Sequence, residues 1–268
     1  MALPADEEAV LQRVLASAKY AGLDEGFVRR IAGEASARFR DQNAAARYAR
    51  RKLHQAVGAF VTGSLSDAVR ACVSAIAAGA PVRDASLAAM RRHASTAERA
   101  AVMDAFYRQI EAWCGRPSTV ADLGCGLGPL AIPWLATSLG ATYWCCDVDL
   151  GLTGALPALS EPFGVTVIAQ AQDLVRPAGL PSAELVLLLK VVTTLEQQHT
   201  GAARDVLAAL DAPRVVVSLP RASLSARRRY TADPAEVIRS VTADSGYAPA
   251  GHATFGDESL YLLARSAP

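Results

Sequence analysis

The chain has 268 residues, of which 51% are hydrophobic and 20% are charged, and its formal net charge at pH 7 is +1. This length and composition predict one large domain, or one domain with a smaller partner, that buries a sizeable core. Five cysteines without C-x-x-C spacing argue against a disulfide framework or a zinc site, so we expect no metal.

The chain up to about residue 116 has the pattern of helices. It starts with the acidic residues Asp6–Glu8 where a signal peptide would carry positive charge, and no apolar run is long enough to cross a bilayer. We therefore expect a cytoplasmic protein without a membrane partner. Val10, Leu11 and Val14 fall on one helical stripe, and no segment alternates with period two. The pattern predicts an all-α N-terminal domain over residues 1–116.

A basic segment lies between Phe27 and His54. It holds eight basic residues against two acidic ones, Glu34 and Asp41. An ordinary solvated helix face explains any single charge, but the local excess makes an anionic partner plausible. The basic residues are Arg29, Arg30, Arg38, Arg40, Arg47, Arg50, Arg51 and Lys52.

The stretch from Arg91 to Arg99, RRHASTAER, has two interpretations. Ser95 and Glu98 have the Ser-x-x-Glu spacing of a capping box, in which each side chain bonds a free backbone N–H at the start of a helix. The flanking His93 and Arg99 indicate that the same stretch could hold a ligand.

After Pro117, apolar β-rich runs alternate with helical stretches. This alternation predicts a parallel sheet with helices on both faces over residues 117–268. A hairpin around Gly256-Asp257 makes the last strand antiparallel, which is the arrangement of class I methyltransferases rather than of NAD-binding Rossmann domains. The predicted strands are Thr119–Leu123, Thr142–Cys146, Val165–Ala169, Leu185–Leu189, Val215–Leu219, Ala250–Phe255 and Ser259–Ala264.

A glycine-rich turn follows the first predicted strand. Gly124, Gly126 and Gly128 remove Cβ atoms where the backbone must approach a ligand, and Pro129 suits the first position of a helix. Asp147 ends the next strand, where its carboxylate would accept hydrogen bonds from two ribose hydroxyls. Strand, glycines, helix, strand and acid in this order predict a nucleotide-containing cofactor.

Two further acids favour S-adenosylmethionine over NAD. Asp122, just before the turn, would repel a pyrophosphate but would suit the cationic end of S-adenosylmethionine. Asp173, after the third strand, would accept a hydrogen bond from the adenine amino group, although a turn-starting aspartate is an equally good interpretation. Arg99 would then clamp the cofactor carboxylate with two charge-assisted hydrogen bonds.

With these motifs, the chain resembles the aminoglycoside-resistance 16S rRNA methyltransferases that modify guanine N7 (position 1405) in the decoding A site. The similarity runs from about residue 15 to 264, with departures at Gly128, Thr193 and Ser225-Ala226, where the family usually has other residues. The matching pieces are Lys52–Phe60, His93–Arg99, Asp122–Leu127, Leu187–Lys190, Leu195–Gln198, Val217–Pro220 and Ser223-Leu224.

The resemblance implies a set of site residues. The N-terminal domain would dock on the 30S subunit, and so on 16S rRNA, through basic residues. Apart from the resemblance, we expect a monomer that does not bind DNA. The implied RNA-binding residues are Arg29, Arg30, Arg47, Arg50, Arg51, Lys52, Arg227 and Arg228. The implied cofactor-binding residues are Phe60, His93, Ala94, Ser95, Arg99, Gly124, Gly126, Asp147, Asp173, Leu174, Leu189 and Gln198.

Guanine N7 carries a lone pair and no proton, so its methylation needs positioning and desolvation rather than a general base. Lys190 ends a strand where a class I sheet delivers active-site residues, and we expect it to position the target nucleotide; a lysine that only snorkels from a strand end is the alternative. Two other functions stay open at this point: a small-molecule methyltransferase, and a non-catalytic RNA-binding homologue.

Overall fold

The structure is a computed structural model that describes residues 5–58, 64–92, 94–221 and 233–266. Phe60, His93, Arg227 and Arg228 therefore lie outside the described residues. Ala94 and Ser95 are described only as part of a helical backbone.

Three helices form the start of the described chain and share a core of their own. Each helix is capped by an aspartate, Asp6, Asp24 or Asp41, whose carboxylate accepts a hydrogen bond from a backbone N–H of the first turn. Their apolar faces bury a cluster that ends at Leu53, and a π-helical turn, His54–Gly58, follows. The helices are α1 (Glu7–Leu15), α2 (Glu25–Arg38) and α3 (Gln42–Leu53).

The next helices pack on the sheet instead of on α1–α3. Phe106 and Ile110 of α7 are fully buried against the sheet, in a core shared with residues of α4 and α5. The hydrophobic cores therefore divide between Leu53 and Leu65, whereas the change of sequence pattern placed the domain boundary at residue 116. The helices are α4 (Leu65–Ala77), α5 (Val82–Met90), α6 (Ala94–Ala97) and α7 (Met103–Cys114).

A seven-stranded sheet forms the centre of the molecule, in the order β3-β2-β1-β4-β5-β7-β6. The first five strands are parallel, and the final hairpin pairs antiparallel with β5, so the predicted sheet is confirmed. The strands are β1 (Thr119–Leu123), β2 (Thr142–Asp147), β3 (Thr166–Ala171), β4 (Leu185–Leu189), β5 (Arg214–Pro220), β6 (Tyr247–Phe255) and β7 (Glu258–Arg265).

The remaining helices cover the sheet and complete the α/β architecture. A second buried cluster joins α10, α11 and α12 to one sheet face, whereas α8 packs with α4 in the cluster on the other face. Among the described residues, no helix has the length and apolar character needed to cross a membrane. The helices are α8 (Leu150–Ala155), α9 (Ser160–Phe163), α10 (Val192–Gln198), α11 (Ala202–Ala209) and α12 (Pro234–Thr242).

Candidate functional site

A cavity of about 410 Å³ opens at the carboxyl ends of the parallel strands. The strand order reverses between β1 and β4, and an open α/β sheet binds its ligands at such a switch point. The residues that follow β1, β2, β3 and β4 all line the cavity. Seven of the residues predicted to bind the cofactor line the cavity: Gly124, Gly126, Asp147, Asp173, Leu174, Leu189 and Gln198.

The turn after β1 brings its backbone to the cavity wall. Gly124 and Gly126 have φ angles of 68° and 48°, which L-residues rarely adopt. A Cβ on Gly124 would lie 2.4 Å from Cγ2 of Val191. The N–H of Gly126 donates to Oδ2 of Asp147 at 2.9 Å, so the turn and the acid form one unit. Burial raises the pKa of Asp147, because the two backbone hydrogen bonds it accepts from Gly126 and Asp149 only partly offset the loss of solvation.

Asp122 and Gly128 do not line the cavity, which corrects their predicted roles. Asp122 is 1% exposed, and its Oδ2 accepts a hydrogen bond from the Tyr143 hydroxyl at 2.9 Å. A Cβ on Gly128 would lie 2.6 Å from the same oxygen, so this glycine makes room for a buried carboxylate and not for a ligand. Burial raises the pKa of Asp122 to about 7 despite the hydrogen bond from Tyr143 and the charge of Arg99.

Asp173 and Gln198 share one buried arginine, Arg30 of α2. The Arg30 guanidinium donates to both carboxylate oxygens of Asp173, at 2.5 and 3.3 Å, and to Oε1 of Gln198 at 2.7 Å. It also pairs with Glu34 at 2.8 Å. We call these four residues, Arg30, Glu34, Asp173 and Gln198, the Arg30 cluster. Arg30 is 6% exposed and its guanidinium is engaged by these partners, so it lies behind the cavity wall in this structure and not on the surface where the predicted RNA contact would need it.

Arg99 is also buried, and a carboxylate already holds it. Its guanidinium donates to Glu258 at 2.6 and 3.2 Å and lies 4.4 Å above the Phe106 ring. Arg99 does not line the cavity in this arrangement. Burial alone would raise the pKa of Glu258, but the charges of Arg99 and Lys190 outweigh it, so this pKa lies below its usual value.

Lys190 lies between the cavity and Glu258. Its φ of 60° is rare for a residue with a side chain, and its N–H donates to Oγ of Ser218 at 3.0 Å, which holds this backbone after β4. Its Nζ lies 2.6 Å from Glu98 and 3.6 Å from Glu258. We call Arg99, Glu258, Lys190 and Glu98 the Arg99 cluster.

Helix α6 runs over Ala94–Ala97, which places the Ser95 backbone inside the helix and not at the N-cap of the predicted capping box, and the Ser95 side chain lies outside the described residues. Glu98 follows the helix and binds Lys190. The short helix therefore serves to deliver Glu98 and Arg99 to the Arg99 cluster. Glu258 is absent from the sequence-based predictions because it lies 159 residues from Arg99, and no motif marks it.

The other predicted RNA-binding residues of the described chain lie on α2 and α3. Arg47 and Arg51 are exposed, and the guanidinium of Arg51 lies 5.2 Å from the Tyr48 ring centroid. Arg29 is partly exposed and pairs with Glu8 and Glu25. Arg50 donates to the Arg13 carbonyl, and Lys52 donates to the Gln197 carbonyl at 3.2 Å, so these two side chains also make contacts within the protein.

The N-terminal part of the chain supplies one wall of the cavity, which the sequence did not indicate. Lys19 and Leu23, which lie between α1 and α2, Phe27 of α2, and Ala56 and Val57 of the π-helical turn line it. The apolar character of Leu23 and Phe27 predicts burial but does not say which element they face.

The described residues fit the chemistry of S-adenosylmethionine. The cavity has a turn with glycines, an acid for ribose hydroxyls, a second acid and an amide that are held by one arginine, and apolar residues for an adenine ring. The helical turn that follows the glycines is a short 3-10 helix, Gly128–Trp134, and Asp122 lies beneath its start. A pyrophosphate bound at this turn would lack the N-terminus of a regular α-helix, which is the feature that usually stabilises a bound phosphate.

Comparisons with known proteins agree with this geometry. The model of the FmrO family, described as a ribosomal RNA methyltransferase, matches residues 16–259. A 16S rRNA (guanine(1405)-N(7))-methyltransferase of Micromonospora olivasterospora is 47% identical over 251 residues, which are 93% of this chain and 85% of the relative. The protein of the same name from Serratia marcescens is 33% identical over 217 residues, which are 81% of this chain and 82% of that protein.

Solved structures show the same fold over almost the whole chain. The 16S rRNA methyltransferase RmtF in complex with S-adenosyl-L-homocysteine superposes with a TM-score of 0.84 at 30% identity and covers 97% of this chain and 98% of its own. The 16S rRNA methylase RmtB gives a TM-score of 0.81 at 28% identity, with 98% of this chain and 100% of its own covered. The chain therefore belongs to the FmrO family of ribosomal RNA methyltransferases.

Proposed function

We propose that this protein transfers a methyl group from S-adenosylmethionine to guanine N7 at position 1405 of 16S rRNA, within the 30S subunit, and that this modification confers aminoglycoside resistance. The observation that carries the proposal is the cavity at the switch point, where Asp147, Asp173 and the glycine turn meet beneath Lys190. The family relationship supplies the reaction class and the rRNA substrate.

Each cavity residue has a task in this proposal. When bound, S-adenosylmethionine supplies an electrophilic methyl group on a sulfonium. The carboxylate of Asp147 accepts hydrogen bonds from ribose hydroxyls, and Gly124 and Gly126 leave room for the cofactor beside the backbone. Leu174 and Leu189 give the adenine and the methyl-bearing end apolar contacts that exclude water. Phe60, His93, Ala94 and Ser95 are proposed to complete the cofactor site by family resemblance.

The nucleophile needs no base from the protein, because the N7 lone pair attacks directly. The task of the protein is to bring the base out of the RNA stack and to hold it near the cavity, since the major groove of A-form RNA is too deep and narrow to be reached. Lys190 is placed for this, because it lines the cavity at the end of β4. The carboxylate of Glu98, with 45% of its side chain exposed, holds the amine there. Arg99 is proposed to reach the cofactor carboxylate by exchanging one of its bonds to Glu258.

The small-molecule alternative predicts a proton-accepting histidine or aspartate at the cavity mouth. Asp147, Asp149 and Asp173, the aspartates that line the cavity, all accept hydrogen bonds from the protein, and no histidine of the described residues lines it. The family relationship likewise does not favour a non-catalytic RNA-binding protein, because its members are named for the reaction.

We propose that α1–α3 form the surface that docks on the 30S subunit, with Arg47 and Arg51 among its exposed cations. Arg29, Arg50, Lys52, Arg227 and Arg228 would add further phosphate contacts, and the protein would act as a cytoplasmic monomer where 30S subunits are found. Phosphate contacts by Arg and Lys give binding that weakens steeply with salt.

The test of the reaction is the incorporation of tritiated methyl groups into 30S subunits, free 16S rRNA and small phenols. We expect labelling of 30S subunits only, at a position mapped to guanine 1405. Labelling of phenols alone would support the small-molecule alternative, and cofactor binding without any labelling would support the non-catalytic one. Expression in a sensitive bacterium should raise the inhibitory concentration of aminoglycosides that bind the decoding site.

The test of the docking surface is the double substitution Arg47→Glu and Arg51→Glu. We expect 30S affinity to fall by roughly a hundredfold at moderate salt, because two phosphate contacts become repulsive. Cofactor affinity by calorimetry should not change. Arg204→Glu, which changes an exposed arginine of α11, is the control and should leave 30S affinity within about twofold of the wild type. Equal losses in both variants would refute the docking surface without touching the cofactor site.

A further inference from the structure

Arg30 is the one residue of the N-terminal helices shown here to bond to both Asp173 and Gln198. These two partners lie 143 and 168 residues away in the sequence, after β3 and at the end of α10. Both line the cavity. A side chain of α2 therefore joins the two polar groups at one end of the proposed cofactor site.

The guanidinium fixes which atoms these partners can offer to a ligand. Arginine has N–H donors and no acceptor, so the amide of Gln198 must turn its oxygen toward Arg30. The amide nitrogen is then the part of Gln198 that can donate a hydrogen bond into the cavity. Asp173, opposite a guanidinium, offers the remaining lone pairs of a carboxylate, which only accept.

An acceptor beside a donor matches the polar edge of adenine. The 6-amino group of adenine donates and its N1 accepts, whereas hypoxanthine and guanine have an acceptor at position 6 and an N–H at N1. We infer that Arg30 is a positioning residue that makes this site specific for adenine over 6-oxopurines. The inference rests on the proposed function, in which the cavity holds S-adenosylmethionine with its adenine at Asp173.

Without Arg30, the order of the hydrogen-bond acceptor at Asp173 and the donor at Gln198 is no longer fixed. The Gln198 amide can rotate by half a turn and offer its oxygen, and the Asp173 carboxylate is no longer held by the guanidinium. The rotated amide can accept a hydrogen bond from the N1–H of a 6-oxopurine. Loss of Arg30 should therefore affect the selectivity between bases, which a purely structural role in packing α2 would not do.

The experiment is a calorimetric comparison of two ligands, S-adenosylhomocysteine and its deaminated analogue S-inosylhomocysteine. We expect the wild-type protein to prefer the adenosyl ligand by roughly tenfold or more. In the inosyl ligand the oxygen at position 6 would face the Asp173 carboxylate, and the N1–H would face the N–H of the Gln198 amide. In Arg30→Gln the preference should fall to within about threefold of unity. Arg83→Gln is the control, since Arg83 pairs with one acid, Asp104, at the surface, and it should keep the wild-type preference.

Thermal unfolding shows whether Arg30→Gln folds normally, and a second variant tests the inference independently of that result. Gln198→Glu keeps an oxygen for Arg30 but removes the amide donor, so its preference for the adenosyl ligand should fall as well. A folded Arg30→Gln protein that keeps the full preference would overturn the inference, and so would a Gln198→Glu protein that does. If the wild-type protein binds neither ligand, the proposed cofactor site fails instead, which is a distinguishable result.

Discussion

The Arg30 cluster and the Arg99 cluster are built alike but hold different parts of the site. In each, an arginine less than 10% exposed donates two hydrogen bonds to one carboxylate, and a second, more exposed glutamate completes the group. The Arg30 cluster joins helix α2 to the ends of β3 and α10. The Arg99 cluster joins the segment after α6 to β4 and to the hairpin strand β7, entirely within the core shared with the sheet.

The two clusters differ in how many of their polar groups line the cavity and can contact a ligand. Asp173 and Gln198 line the cavity, so the Arg30 cluster presents polar groups to a cofactor. Arg99 and Glu258 are 2% and 4% exposed, and only Lys190 of the Arg99 cluster reaches the cavity. Similar ion pairs can thus either shape a binding site or support one from behind, depending on whether the paired acid lines the cavity.

The largest expected effect comes from breaking the Arg99 cluster at its buried acid. Glu258→Gln leaves Arg99 and Lys190 without their shared buried carboxylate, and we expect a loss of about 3–5 kcal/mol in the free energy of unfolding. Urea denaturation measures it. Asp257→Asn, an exposed neighbour in the same turn, is the control and should change the free energy by less than about 0.5 kcal/mol. Similar values for both variants would show that the buried pair contributes little.

The pKa of Asp122 tests whether the charge of Arg99, which is already paired with Glu258, also stabilises a second buried carboxylate. The folded protein holds a proton on Asp122 up to a pH of about 7, whereas the unfolded chain releases it near the ordinary pKa of 3.8. Stability from this group is therefore complete below pH 4 and is lost as the pH rises to 7. Asparagine at this position does not titrate, so Asp122→Asn should gain roughly 2–3 kcal/mol relative to the wild type between pH 5 and pH 7.5.

The measurement is the free energy of unfolding of both proteins across that pH range. Subtracting the two curves removes the contribution of all other titrating groups. A difference that stays constant from pH 5 to pH 7.5 would mean that Asp122 is already ionised, and that Arg99 neutralises it in addition to Glu258.

The smallest expected effects come from the exposed glutamate of each cluster. Glu98 and Glu34 have 45% and 36% of their side chains exposed, so water screens their ion pairs. We expect Glu98→Gln and Glu34→Gln each to cost less than about 1 kcal/mol in urea denaturation. A loss from either that equals the loss in Glu258→Gln would contradict the ranking by burial.

Glu98→Gln also separates stability from function. It removes a carboxylate that holds the Lys190 amine, so methyl transfer to 30S subunits should fall while Glu34→Gln leaves the transfer rate nearly unchanged. Equal rates in the two variants would argue that Lys190 does not position the target nucleotide.

Much of the site could be predicted because it follows from local patterns. Asp147 and Asp173 end strands that lie side by side, and parallel strands deliver their carboxyl ends to one edge of the sheet. The glycine turn could be predicted because its glycines follow the first strand directly in the sequence. The roles of Arg30 and Arg99 could not be derived in this way, because a charged residue on a helix has the same appearance in the sequence whether it faces water or a carboxylate.

The sequence by itself determined the elements of this protein. Runs of β-branched residues separated by helical stretches specify the parallel sheet, the Gly256 turn specifies the hairpin, and the order of strand, glycines and acid specifies a nucleotide-type site. These features depend on residues close together in the chain. Tertiary structure alone decided that the segment from Lys19 to Phe27 and the π-helical turn form one wall of the cavity, that Glu258 meets Arg99 and that Arg30 meets Asp173. The two ion pairs join residues 159 and 143 positions apart, and the burial that fixes their charges arises only when the separate elements pack.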